Sequence, residues 1–184
     1  MTTVDPIREI SDIKKIKSEL LRSSYRDYLF FEVGINTGLR ISDILNLKVS
    51  DVKGKIHIEI REEKTGKIKK FILNDVVKDE IEKFIASKKN NDFIFESRRT
   101  RGVPLERTRA YCILNSAAKA AGLNIKIGTH TMRKTFGFHF YQKTKDVALL
   151  QQLFNHSSPS VTLRYIGINQ NMLDEALSDF VLWG

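Results

Sequence analysis

Between Lys55 and Leu73 the apolar residues switch to a period of two, whereas nearly every other apolar run in this chain repeats at helical spacing. Ile56, Ile58 and Ile60 alternate with His57, Glu59 and Arg61, and Ile68 to Leu73 reads as the returning strand. Lys64-Thr65-Gly66-Lys67 is then a hairpin turn with lysines at its tip. Phe93-Ile94-Phe95 reads as a short third strand. One small sheet inside an otherwise helical chain predicts an α+β protein, mainly α-helical, with a three-stranded antiparallel sheet.

The helices follow from spacing and caps. Asp12 to Leu21 carries Ile13, Ile16, Leu20 and Leu21 on one side, after a polar lead-in; together these make up residues 1–24. Tyr25 to Asn36 is strongly apolar and is expected in the core, ending at Gly38, a residue suited to positive φ. Arg40 follows that stop directly and precedes a short helix with Ile41, Ile44, Leu45 and Leu47 on its apolar side. The arginine is thus held at a corner between two packed helices. Asp43, three residues on, is placed either to fix the Arg40 rotamer or to form an ordinary surface pair with it.

Asp75 to Ala86 is helical by spacing, and a basic loop from Ser97 to Arg107 carries Arg98, Arg99, Arg101 and Arg107. Such a loop suits phosphate contacts, which position a duplex without reading its sequence. A helix from about Thr108 to Ala121 closes at Gly122, and Cys112 within it is expected to be a buried small hydrophobe. Asp146 to Phe154 is a further helix, after which the chain turns at Asn155 and His156. Ser158-Pro159 is an N-cap followed by a first helical position, opening a short helix that ends in Tyr165. Residues from about 168 to 184 read as an amphipathic tail helix with Leu173, Ala176, Leu177 and Phe180 on one side.

The 184 residues, 41% of them hydrophobic, are enough for one domain spanning 1–184. Lys and Arg total 31 against 22 Asp and Glu, a formal net charge of +9. That balance favours a polyanionic partner, nucleic acid first, because each neutralised phosphate releases counterions. One cysteine rules out an internal disulfide and fits a reducing compartment. No apolar run approaches the ~20 residues needed to span a bilayer, and the first ten residues are not a signal peptide. The expectation is a cytoplasmic protein, nucleoid-associated if bacterial, with no membrane partner. His57, His130, His139 and His156 with Cys112 give no zinc-ligand spacing, so no metal site is expected.

His130 and Arg133 stand three residues apart at the start of an amphipathic run, so a helix places them on one face. Together with His156 and Tyr165 they supply what a metal-free transesterification at a phosphodiester uses: an oxygen nucleophile, a planar bidentate cation and proton-handling partners. Lys64 at the hairpin tip suits a general acid for a leaving oxygen.

Arg40 in TGLRISDIL, Lys64 in EKTGK, His130 and Arg133 in HTMR, His156 in LFNH and Tyr165 in VTLRY form an ordered set. In order and context it resembles the catalytic domain of the tyrosine recombinases, the phage integrase family, over about residues 10–180. That resemblance implies the catalytic-domain fold and a site-specific recombinase or integrase. Tyr165 would attack the scissile phosphate to give a 3′-phosphotyrosine and release a 5′-hydroxyl, with no cofactor because the bond energy stays in the phosphoester. Arg40 and Arg133 would grip the non-bridging oxygens, Lys64 would protonate the leaving oxygen, His130 would take the tyrosine proton, and His156 would hydrogen-bond the phosphate. Asp43 would support the site. Lys67, Arg98, Arg99, Arg101 and Arg107 would contact DNA.

The implied partners are double-stranded DNA, a homo-tetramer on paired sites held through the tail helix, and an accessory DNA-bending protein. Two departures accompany the resemblance. Asn155 stands where the family usually has glycine, and it too tolerates a left-handed turn. An N-terminal DNA-clamping domain, typical of the family, is not expected here, so the chain resembles the short members such as the fimbrial-switch inversion recombinases. The alternatives are a type IB topoisomerase-like enzyme that relaxes supercoils without exchanging partners, and a catalytically silent DNA-binding accessory protein. A metal-dependent nuclease is disfavoured because no carboxylate cluster is present.

Overall fold

The computed structural model describes residues 4–61, 66, 68–128, 130–168, 172, 174, 177–178 and 180–183, with backbone alone at 61 and 69. Among these the chain forms nine helices and one two-stranded antiparallel sheet. Helix α1 (Ile10–Ser23) buries Ile13, Ile16 and Leu20, the side its spacing dictates. Ser24 caps α2 (Tyr25–Thr37) by accepting from the Asp27 amide, and Gly38 ends it at φ 63°. Helix α2 is the centre of the molecule, packing on α1, α5 (Asp75–Ile85) and α7 (Thr131–Thr144). Its approach to α7 needs Gly34, since a Cβ there would stand 2.5 Å from the Met132 sulfur.

Short helices α3 (Ile41–Leu45) and α4 (Val49–Val52) lead into strands β1 (His57–Arg61) and β2 (Ile68–Ile72). His57 pairs with Ile72 and Arg61 with Ile68, the hairpin expected from the period of two. Ile58, Ile60, Phe71 and Leu73 face the core. The expected third strand is not part of this sheet: the described residues form two strands. The backbone of Phe93 to Phe95 bonds elsewhere, with the Ile94 amide on the Leu47 carbonyl at 2.9 Å and the Leu105 amide on the Phe95 carbonyl at 2.7 Å. Those partners leave only isolated bridges, Lys48 with Phe93 and Glu96 with Pro104.

Helix α6 (Arg107–Ala120) buries Ala110, Leu114, Ala117 and Ala118. Cys112 lies on its outer side and is exposed, not the buried hydrophobe expected, because α6 presents alanines and Leu114 to the core instead. Helices α8 (Val147–Phe154) and α9 (Pro159–Tyr165) complete the described helices. Two apolar clusters result. The larger joins α1–α6, the sheet and Met132; the smaller contains Phe138, Leu150, Phe154 and Ile166, with Phe136, Leu163 and Tyr165 packed against it. Among the described residues no helix is long and apolar enough to cross a membrane.

Candidate active site

Arg133 is the best anchored of the candidate residues. It lies one turn into α7, 4% exposed, and donates to the Gly38 carbonyl at 2.6 Å and to the Phe154 carbonyl at 3.1 Å. These carbonyls stand at the C-terminal ends of α2 and α8, where the aligned peptide dipoles leave partial negative charge. The guanidinium also lies 4.2 Å from the centre of the Phe154 ring. One side chain therefore ties the two apolar clusters together and brings a fixed positive charge to their boundary. Gly38 must be glycine here twice over, for its positive φ and because a Cβ would stand 2.3 Å from Phe136.

Tyr165 is the last residue of α9, on the smaller cluster. Its hydroxyl is 3.2 Å from His130 Nδ1, across 35 residues of chain. His130 is the exposed N-cap residue of α7, so the imidazole reaches solvent on one side and the phenol on the other. Burial pushes the Tyr165 phenol above its ordinary value, while the charges of Arg133 and Arg40 and a hydrogen bond from Arg133 pull it back. Arg40, half-buried at the start of α3, is thus within electrostatic reach of the same hydroxyl. Asp43 is buried on α3, so it is not a surface residue.

Helix α8 ends at Asn155 with φ 54° and ψ 46°, the left-handed turn expected of it. That turn presents His156, whose ring packs edge-on against Tyr165 with centroids 5.0 Å apart. Thr162 fixes the imidazole through a 3.1 Å contact between its Oγ1 and Nδ1. Ser158 caps α9 by accepting from the Val161 amide, with Pro159 at the first helical position. Arg40, His130, Arg133, His156 and Tyr165 are thereby brought to one place. Lys64 and Lys67 lie outside the described residues; of the expected tail helix, Met172, Asp174, Leu177 and Ser178 are helical, whereas residues 180–183 are not, so the helix stops short of the expected end at 184.

Arg98, Arg99, Arg101 and Arg107 are all exposed. Arg98 donates to Ser24 Oγ at 2.7 Å, which anchors the basic loop to the α1–α2 corner. A groove of about 700 Å³ runs between this loop, α1 and α6, and Arg22, Arg26 and Arg109 join Arg98 and Arg99 in lining it. It contains none of the residues around Tyr165. Among the described residues no group of three His, Cys, Asp or Glu is placed to hold a metal ion.

Sequence reasoning missed Lys134, which is buried with its ammonium 5.3 Å from the centre of the Tyr165 ring. It also missed Thr162 and Phe154 as partners of His156 and Arg133. A lysine directly after Arg133 in an apolar helix was the only local signal. The others show no signal, because their roles depend on contacts between helices.

The model of the phage integrase family matches residues 6–172. The probable integrase/recombinase YoeC of Bacillus subtilis (strain 168) is 49% identical over 180 residues, covering 98% of each chain. Tyrosine recombinase XerA of Pyrococcus horikoshii is 30% identical over 169 residues, which are 90% of this chain and 58% of that one. The chain thus spans all but the ends of the first relative and less than two thirds of the second. The crystal structure of XerA recombinase superposes with a TM-score of 0.78 at 24% identity, over 96% of this chain and 65% of that one. XerH site-specific recombinase, bound to a palindromic difH substrate in a post-cleavage complex, superposes at 0.77 with 21% identity, over 97% and 53%.

Proposed function

The chain belongs to the phage integrase family, and on that footing we propose that it is a site-specific DNA recombinase, a strand-transferase that works through a phosphotyrosine. The observation that carries this reading is the Tyr165 hydroxyl, 3.2 Å from an imidazole and under the influence of two guanidinium groups. Tyr165 Oη attacks the phosphorus, the bond to the 5′ oxygen breaks, and the 3′ end remains on the tyrosine. His130 accepts the phenol proton. Arg40 and Arg133 stabilise charge on the non-bridging oxygens as it develops, the kind of preorganised donor whose loss costs roughly 10²–10³ in rate. His156 donates to the phosphate through Nε2, and Lys64 protonates the departing 5′ oxygen. A 5′-hydroxyl of another strand then reverses the step. With the charge supplied by arginines, no metal is required, and cleavage should persist in chelator.

Double-stranded DNA is the substrate, held by Lys67, Arg98, Arg99, Arg101 and Arg107. Assembly as a tetramer on paired sites, with the tail exchanged, is supported by Leu177, Phe180, Val181, Leu182 and Trp183, each at least two-thirds exposed. Burying such side chains against a neighbour is worth roughly 1.5–3 kcal/mol each.

The test is a nicked suicide substrate carrying the sequences that flank the protein's own gene. Wild type should form a covalent protein–DNA adduct and Tyr165→Phe none. An adduct that survives Tyr165→Phe, or no adduct from wild type on any such DNA, overturns the reading. Supercoil relaxation by isolated monomers without strand exchange would point to the topoisomerase-like alternative.

A further inference from the structure

Residues 4–8, part of a polar lead-in by sequence, form a strap across α7 that touches the chain on both sides of the site. The strap is anchored centrally. The Ile7 amide donates to Thr135 Oγ1 at 2.9 Å, His139 Nε2 lies 3.0 Å from the Ile7 carbonyl, and Ile7 itself is 5% exposed. At one end Val4 packs over Gly128, two residues before His130, where a Cβ would stand 2.7 Å from the valine methyl. At the other end Pro6 and Arg8 pack over Gly167, two residues after Tyr165; a Cβ there would stand 3.2 Å from Arg8 Nη2 and 3.3 Å from Pro6 Cδ. Both glycines therefore make room for the same segment.

Polar contacts run the same way. Arg8 Nη2 donates to the Gly167 carbonyl at 3.0 Å, and its guanidinium lies 5.6 Å from the centre of the Phe138 ring in the smaller cluster. Lys134, next to the strap's partner Thr135 in α7, is buried and holds its ammonium over the Tyr165 ring. Burial lowers the Lys134 ammonium from its ordinary value, and the charge of Asp5 on the strap opposes that. Asp5 on the strap and the Tyr165 ring thus act on the same ammonium.

We propose that the strap is a positioning element for the nucleophile, in which Arg8, through the Gly167 carbonyl, and Lys134, through the Tyr165 ring, fix where the phenol stands relative to His130 and Arg133. This rests on Tyr165 being the nucleophile. Neither residue touches the reacting phosphate. Their effect is on the geometry of attack, where a displacement of about 1 Å can cost on the order of 10²-fold.

The experiment uses the full chain as wild type, Arg8→Ala, Arg8→Lys and Lys134→Met, with two readouts. In the free protein, amide hydrogen exchange in a peptide covering residues 163–168 should speed about tenfold in Arg8→Ala, as expected of a local opening, while α1 and α2 are unchanged. Exchange equal to wild type in that peptide overturns the strap. On nicked DNA at saturating concentration, adduct formation should slow about tenfold in Arg8→Ala and in Lys134→Met at unchanged DNA affinity, with Arg8→Lys recovering part of the rate. Weaker DNA affinity at an unchanged adduct rate overturns the proposal. If wild type forms no adduct, the recombinase reading falls, and the exchange readout still decides whether the strap holds the Tyr165 segment.

Discussion

Arg133 and Tyr165 share a site and both rest on Phe154, but Arg133 is also bonded to the end of α2 in the main body of the fold. Arg133 sits where α7 meets the large cluster, locked onto two helix-end carbonyls and an aromatic face, and almost none of it is exposed. Tyr165 hangs on a cluster of four buried apolar residues at the end of a seven-residue helix. Its described ties are His130, a hydrogen bond from Arg133, Lys134, the edges of Phe154 and His156, and a strap on Gly167. The difference matches the two tasks. A group that stabilises charge works best when it does not move, whereas a nucleophile must leave its resting bond to reach phosphorus. A small cluster with few long-range ties opens at lower free energy than the main core.

Removing Arg133 should blur this contrast most. Arg133→Ala leaves the Gly38 and Phe154 carbonyls without their described donor and takes a guanidinium from the site. Adduct formation should fall by roughly 10²–10³ or more, with a drop in melting temperature; an adduct rate within threefold of wild type would show that Arg133 only joins the clusters. Phe154→Ala should cost about 3–5 kcal/mol in denaturant unfolding. If the smaller cluster is the weaker body, hydrogen exchange in α8 and α9 should rise far more than in α1 and α2. Uniform loss of protection would mean a single cooperative core.

Gly38→Ala probes the corner where α2 meets Phe136 of the smaller cluster. The positive φ and the overlap with Phe136 together predict a loss of about 1–3 kcal/mol, and a variant as stable as wild type would contradict the close packing at that corner. Thr162→Val is a smaller change on the Tyr165 side. It removes the contact that orients His156 and should slow adduct formation severalfold while binding DNA normally; an unchanged rate would mean His156 needs no partner.

The smallest effect is in pH dependence. A phenol whose folded value is raised keeps its proton in the native state after the unfolded chain has lost its own. Its stabilising contribution is therefore complete below the unfolded value near 10.0 and is lost as pH rises toward the folded one. Tyr25 and Tyr28 behave likewise. Burial first, and then Glu80 hydrogen-bonded to Tyr25 and the charge of Glu32 beside Tyr28, push both up to about 12. Melting temperature should fall between about pH 10 and 12, less in Tyr25→Phe and Tyr165→Phe than in wild type, and equal slopes would contradict these shifts.

Much of the molecule was legible before any coordinate. The periods marked out α1, α2, α5, α6 and the hairpin, and Gly38, Asn155 and Ser158-Pro159 act as caps where their chemistry predicts. What failed was decided by partners distant in sequence. Phe93 to Phe95 has strand composition, but its amides and carbonyls meet Leu47 and Leu105 before any strand can claim them. Cys112 occupies a helical position that either face could have taken, and α6 turned its alanines inward.

Spacing, charge and capping are properties of neighbouring residues, so the sequence by itself determined most of the helices, that the chain suits a polyanion, and which reactive side chains it carries in which order. Whether those side chains meet is a matter of helices packed across dozens of residues. Only the tertiary structure decided that His130 reaches Tyr165, that Arg133 closes two helix ends, and that an unremarkable leader lies over two glycines beside the site. Close packing allows one arrangement of those surfaces, and no local pattern encodes it.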